Sequence, residues 1–307
     1  MELIEDVKVH PNMKILDLIR VYDKIHGFMA SHIVKAINIL IEGLECDIRF
    51  LSFTGNLVAT GIRGILSQLI KERVFNVVIT TCGAIDHDLA RAFGGKYIKG
   101  YFDANDVVLK EKGYHRLGNV YIPLKDYGPL IEKVTYEVLD ELTKIKKLWG
   151  VKELLWEFGK RINDEHSILK AAYEAKTPIY VPGIVDGAFG TALFTYSQIH
   201  EFNINLFKDM SELAEIIFKS KKSMALIIGG GISKHHTIWW NQFKDGLDYV
   251  VYITTAVEYD GSLSGARPHE AITWGKVKPT AKYVVVYCDA TIVLPIIAAC
   301  LMARTRK

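Results

Sequence analysis

The densest chemistry in the chain lies in "EYDGSLSGARPHEAITWGK", residues 258–276. Glu258, Asp260 and Glu270 share an irregular, glycine-containing loop there that ends in Trp274, Gly275 and Lys276. A lysine attacks a carbonyl or an imine only as the neutral amine, and burial beside an apolar ring favours that form by penalising the ammonium. Trp274 can supply such a ring. Its π face also attracts an organic cation, while Glu270 and Asp260 attract further amine groups, so a polyamine suits the stretch. A W-G-K tripeptide by itself reads more readily as a surface lysine behind a core aromatic, and both readings stay open at this point.

A second group is "GGGISKHH", Gly229 to His236. Neighbouring histidines on a helix cannot face one point, which disfavours a two-histidine metal site. One imidazole turned toward a ligand titrates near neutrality and can take a proton as a hydride leaves an adjacent carbon. Lys234 does not complete a Walker A phosphate loop, because the G-K-[ST] order is absent. Cys46, Cys82, Cys288 and Cys300 are far apart without a C-x-x-C pair. No metal site or disulfide framework is expected, and a reducing, cytoplasmic setting fits.

The elements that must position these groups show in the apolar pattern. The runs "IRFLSF", "NVVITT", "PIYVPG", "MALIIGGG" and "YVVVYCD" are rich in β-branched residues and alternate with longer segments of helical period. Nearly continuous apolar runs suit parallel strands buried on both faces. The fold class expected is α/β: a doubly wound, mostly parallel sheet, Rossmann-like, with helices on both faces. Residues 1–45 read as an amphipathic helical lead-in, and 46–307 as a single catalytic domain with a helical excursion near 126–176.

In such sheets ligands bind beyond the carboxyl ends of the strands. The residues collected there are Thr54-Gly55-Asn56, Thr80-Thr81-Cys82-Gly83, Asp186-Gly187, Gly229-Gly230-Gly231, Thr254-Thr255-Ala256 and Asp289-Ala290. Glycines admit a pyrophosphate, helix N-termini attract its charge and aspartates bind ribose, so the set suggests a dinucleotide site although G-x-G-x-x-G is missing.

With 307 residues, half of them hydrophobic, the chain can build a sizeable core. Its 38 basic and 35 acidic residues show no long run of one sign, so nucleic acid is not expected as a partner. The start, "MELIEDVKVHPNMK", lacks the pattern of a secretory leader. "YVVVYCDATIVLPIIAACLMA" is interrupted by Asp289 and Pro295, which favours a buried strand and a buried helix over a membrane span.

"GGGISKHH", "EYDGSLSGARPHEA", "TWGK" and "CDATIVLP" together resemble the signature segments of the deoxyhypusine synthase family, in order and spacing; "TGNLVATGIR", "TTCGAIDHDLARAFGGKY" and "VDGAFG" extend the likeness from about residue 50 onward. The resemblance is to archaeal-type members. It implies an NAD-dependent transferase that oxidises spermidine, holds its aminobutyl unit as an imine on Lys276 and passes it to a lysine of the translation initiation factor 5A precursor. It further implies that His235 accepts the proton and that Trp274, Glu270, Tyr252 and Gly261 line the substrate. It assigns NAD contacts to Asn56, Thr81, Cys82, Gly83, Asp86, Asp186, Gly230, Gly231, Thr255, Ala256, Asp260, Ser264, Asp289 and Ala290, and a homotetramer with active sites at dimer interfaces. Leu263, Thr191, Trp239, His87 and Ala59 depart from well-known eukaryotic members, in which the first two are aspartates, the third an asparagine, the fourth a glutamate and the last a serine. Losing carboxylates from a polycation site removes charge-assisted bonds worth roughly 1.5–3 kcal/mol each. A homospermidine-synthase-like transferase acting on a small amine or another donor, and an inactive NAD-binding relative, therefore stand as alternatives.

Overall fold

A computed structural model describes residues 3–305 of the chain. The elements run α1 (Ile15–Ile25), α2 (Met29–Gly43), β1 (Ile48–Phe53), α3 (Ile62–Lys71), β2 (Val77–Ile79), α4 (Cys82–Ala92), β3 (Ile98–Lys99), α5 (Asp106–Glu111), β4 (Tyr114–Leu117) and β5 (Val120–Pro123). There follow α6 (Gly128–Leu142), β6 (Leu148–Trp149), α7 (Val151–Arg161), α8 (Ile168–Ala175), β7 (Ile179–Tyr180), α9 (Ala188–Ile199), β8 (Asn203–Ile204) and α10 (Leu206–Lys219). The last elements are β9 (Ser223–Ile228), α11 (Gly231–Asn241), β10 (Leu247–Thr254), β11 (Val277–Tyr287) and α12 (Ala290–Thr305). They form two compact units. The first takes the described residues through Phe53, Val74–Val77, and those from Leu213 on; the second takes Thr54–Arg73 and Val78–Glu212.

In the first unit β11, β10, β9 and β1 lie side by side, every pair parallel. Every residue of β9 is buried, as are five of the six in β1, which is why both read in sequence as unbroken apolar runs. Between β10 and β11 the register jumps, from Leu247 opposite Val277 to Tyr249 opposite Lys282, so β11 bulges just after Lys276. The N-terminal lead-in consists of two helices packed in this unit, divided where His26 and Phe28 adopt positive φ angles of 56° and 53°. The apolar C-terminal stretch is the strand β11 and the helix α12. That helix carries Pro295 inside it and buries Val293, Leu294, Ile297, Ala298 and Leu301. Among the described residues, no helix is long and apolar enough to cross a membrane.

In the second unit β2 and β7 pair in parallel. Residues 126–176 carry α6, α7 and α8 with the two-residue β6. A small antiparallel sheet, ordered β3-β5-β4, also occurs here. β3 is exposed and β4 mostly exposed, whereas β5, Val-Tyr-Ile-Pro, is buried or half-buried; the strands are too short for a long apolar run to announce them. The second unit is tied together by a buried carboxylate. Asp88 of α4 accepts from Arg63 Nε at 2.6 Å, from Ser167 Oγ at 2.7 Å and from the backbone N–H groups of Ile168 and Leu169 at the start of α8. Arg63 also reaches Asp164 at 2.6 Å.

Candidate functional site

The chain around Lys276 is built by the first unit. Lys276 stands directly before β11; its carbonyl accepts from Leu247 N at the start of β10, and its own N–H donates to Ala271 O. It thus enters from the beginning of a strand, whereas the glycine corner Gly229–Gly231 follows the end of β9. The lysine is 8% exposed, and its Nζ lies 5.1 Å from the Trp274 ring centre and 5.5 Å from that of Trp239. Trp239 in turn stacks on His235, with ring centres 5.6 Å apart and planes inclined by 23°. Burial, and then the nearby Lys276 charge, hold His235 below the usual imidazole range. That keeps the ring neutral, as a proton acceptor must be.

The adjacent histidine does different work. His236 Nε2 accepts from Trp240 Nε1 at 3.0 Å, and burial pushes its pKa down to about 4, so it packs as a neutral ring. One turn of α11 therefore presents one histidine to the lysine and fixes the other within the fold, as expected for neighbours on a helix.

Lys234, left unassigned by the motifs, proves to be buried. Its Nζ donates to Ala266 O at 2.8 Å and sits 4.0 Å above the Tyr252 ring. Burial lowers its pKa to about 8 against the opposing pull of Glu270. Tyr252, beneath the Lys234 ammonium, has a buried hydroxyl with no hydrogen-bond partner among the described residues, and burial raises its pKa, with Glu270 acting the same way. Lys234 thus ties α11 to the loop between β10 and β11.

That loop also meets the glycine corner. Thr254 Oγ1 donates to Ser264 O, and a Cβ added at Gly230 would collide with Ser264. Gly231 has a positive φ of 61°, and a Cβ there would meet only open space. No side chain caps α11, whose N-cap is Gly230. Free helix N–H groups beside open space suit a pyrophosphate. Thr255, Asp260, Gly261 and Asp289 are exposed, and Ala256, Ser264 and Ala290 half-buried, all beyond the carboxyl ends of β10 and β11. Asp260 accepts from Ser262 N, and Asp289 from Thr291 N and Oγ1. Glu270 is exposed.

Within the second unit, Asn56 and Asp186 are exposed, and Asn56 Oδ1 accepts from Thr54 Oγ1. Thr81 precedes α4, which no side chain caps, and Gly83 lies in its first turn. Asp86 is 1% exposed and accepts from the N–H groups of Ala188 and Phe189 at the start of α9, from Tyr127 Oη and from Cys82. Burial raises its pKa, partly offset by those donors. A Cβ at Gly187 would strike Asp86 and Cys82. His87, hydrogen-bonded to Tyr97 Oη, is pushed by burial to about 4, so no charge replaces the carboxylate expected from eukaryotic relatives. Among the described residues no group of three or more His, Cys, Asp or Glu side chains gathers to hold a metal.

Parallel strands, a glycine helix start and a buried lysine beside a histidine and two indoles define an α/β protein built for amine chemistry. The comparisons give the family. The deoxyhypusine synthase family model matches residues 17–301, and the chain belongs to that family. Two archaeal relatives, both named "probable deoxyhypusine synthase", are 60% identical over 97% of this chain and 95% of the relative (Sulfolobus acidocaldarius) and 59% identical over 98% and 97% (Sulfurisphaera tokodaii). The solved structure of a candidate deoxyhypusine synthase from Entamoeba histolytica shares the fold, with a TM-score of 0.67, 22% identity and 97% coverage of both chains.

Proposed function

We propose that the chain is a deoxyhypusine synthase that transfers the aminobutyl group of spermidine to a lysine of the translation initiation factor 5A precursor. The observation that carries this reading, within a family match of this closeness, is the meeting of His235, Trp239 and Lys276 in one unit. NAD is the cofactor, and when bound it supplies a hydride acceptor for the donor and a hydride donor for the product. Gly230, Gly231, Thr255, Ala256, Asp260, Ser264, Asp289 and Ala290 would hold it on the first unit. On the strength of the family alone, the same role is proposed for Asn56, Thr81, Cys82, Gly83, Asp86 and Asp186.

The chain's own residues do the rest. Trp274 and Glu270 bind the amine donor, the first by its π face and the second by charge. His235 takes the proton from the secondary nitrogen of the donor as the adjacent carbon is oxidised to an imine. The Lys276 amine, once it has given up a proton, then adds to that carbon. Collapse of the resulting aminal expels 1,3-diaminopropane and leaves the four-carbon unit as an imine on Lys276. The acceptor lysine repeats the exchange, returning Lys276 to the free amine. The four free cysteines accord with a cytoplasmic setting, and a homotetramer with shared active sites is the proposed assembly.

The test is mass spectrometry after incubation with NAD and spermidine and reduction with borohydride. A reduced aminobutyl adduct should appear on Lys276 and be missing from Lys276→Ala. A wild-type chain that binds NAD yet carries no adduct would sink this reading.

A further inference from the structure

The family reading gives Trp274 a role but none to Trp239, where eukaryotic members have asparagine. The geometry points to one, and the inference rests on the lysine-imine reading above. Trp239 is 40% exposed on a helix whose neighbouring Trp240 is buried, so it is not held there by the core. His235, Trp239 and Phe243 stand at successive intervals of four residues along one stripe. His235 stacks on one side of the indole, and Phe243 meets it edge-on at 6.2 Å and 87°. The ring is thereby fixed, and its distance to Lys276 Nζ is within the reach of a cation–π contact, as is that of Trp274. Among the described residues no carboxylate forms an ion pair with Lys276 (N···O within 4 Å).

We propose that Trp239 and the more exposed Trp274, whose ring centres lie 5.5 and 5.1 Å from the Lys276 nitrogen, form an indole clamp whose purpose is to hold the positive charge of the protonated imine formed there. An ammonium in such a place forfeits up to three strong hydrogen bonds to water, whereas an iminium has one N–H and a delocalised charge. Two π faces therefore favour the iminium over the ammonium. The same walls hinder the reverse step, in which water adds to the iminium carbon, the C–N bond breaks, and the lysine ammonium and a free aldehyde are released.

The experiment needs neither cofactor nor donor. Wild type, Trp239→Phe and Trp239→Leu are incubated with butanal, the imine is trapped with cyanoborohydride, and the adduct on Lys276 is quantified by mass spectrometry against aldehyde concentration. The expected result is about tenfold weaker imine formation in Trp239→Leu, with Trp239→Phe between the two. Equal trapping in wild type and Trp239→Leu, or equal loss in Trp239→Leu and Trp239→Phe, would overturn the clamp, the latter by showing that apolar bulk rather than the π face matters. Trapping that follows this order in a chain that never forms an adduct from spermidine would sink the proposed donor and leave the clamp standing. Unfolding midpoints of the three proteins, expected to agree because the ring is part-exposed, separate the effect from lost stability.

Discussion

At the scale of residues, the pairing of His235 with Lys276 has a consequence for pH. His235 is held below its ordinary pKa chiefly by burial and secondarily by the Lys276 charge. A depressed imidazole stays neutral, and so able to accept a proton, to lower pH than a free histidine. The acid limb of kcat/KM should therefore fall below pH 6.5. Removing the lysine charge withdraws only the smaller cause. In Lys276→Met the His235 resonance, followed by NMR through a pH titration, should move upward yet stay below 6.5, and an unchanged or lower midpoint would deny that the two groups interact. The sequence made both residues legible, because each sits in a dense local motif. It did not reveal Lys234, whose partner carbonyl on Ala266 lies 32 residues away and leaves no local signal. Trp239 was legible in principle, four residues beyond His235 on one helix face, but it stood in view only as a departure from relatives.

Among the elements, the parallel strands announced themselves because burial on both faces makes their sequence almost wholly apolar, as in β9. The β3-β5-β4 sheet did not, since its strands are only two to four residues long and two of the three are largely exposed. The rule that ligands lie beyond strand ends located the glycine corner. It does not locate Lys276, which precedes its strand and depends on the length of its side chain to meet α11. One tie between elements in the second unit is Asp88, fully buried, which joins α3 to α4 and accepts from the first two N–H groups of α8. Asp88→Ala removes the carboxylate facing Arg63, which keeps Asp164 and the backbone carbonyl of residue 88, and leaves the N–H groups of Ile168 and Leu169 without their acceptor, while Ser167 Oγ still accepts from Lys170 N. Urea unfolding should show a loss of about 3–5 kcal/mol; a loss under about 1 kcal/mol would mean that water replaces the carboxylate without cost.

For the molecule as a whole, exposed apolar side chains suggest self-association. In the second unit Val185, Phe194, Ile199 and Phe207 are each more than 60% exposed, and in the first Phe28 is 96% exposed. Isolated exposed apolar residues are ordinary, and large ones gathered in a patch are what an interface between copies would cover. The proposed homotetramer predicts a native mass, by light scattering, of about four times the 34.6 kDa chain, and a monomer mass at micromolar concentration would reject it.

The cysteines, noted above only for the redox setting they imply, give the molecule a further property. Cys46, Cys82 and Cys300 are buried, and burial raises all three thiols, Cys46 to about 11. Thiolate is the reactive form, so these three are poor targets for alkylation while the fold holds. Cys288 is only half-buried; it follows β11, donates its N–H to Thr254 O and directly precedes Asp289. The native protein therefore already carries one preferred attachment point for a maleimide dye, next to a proposed cofactor contact. Binding at that edge can be followed by fluorescence in the unmutated chain.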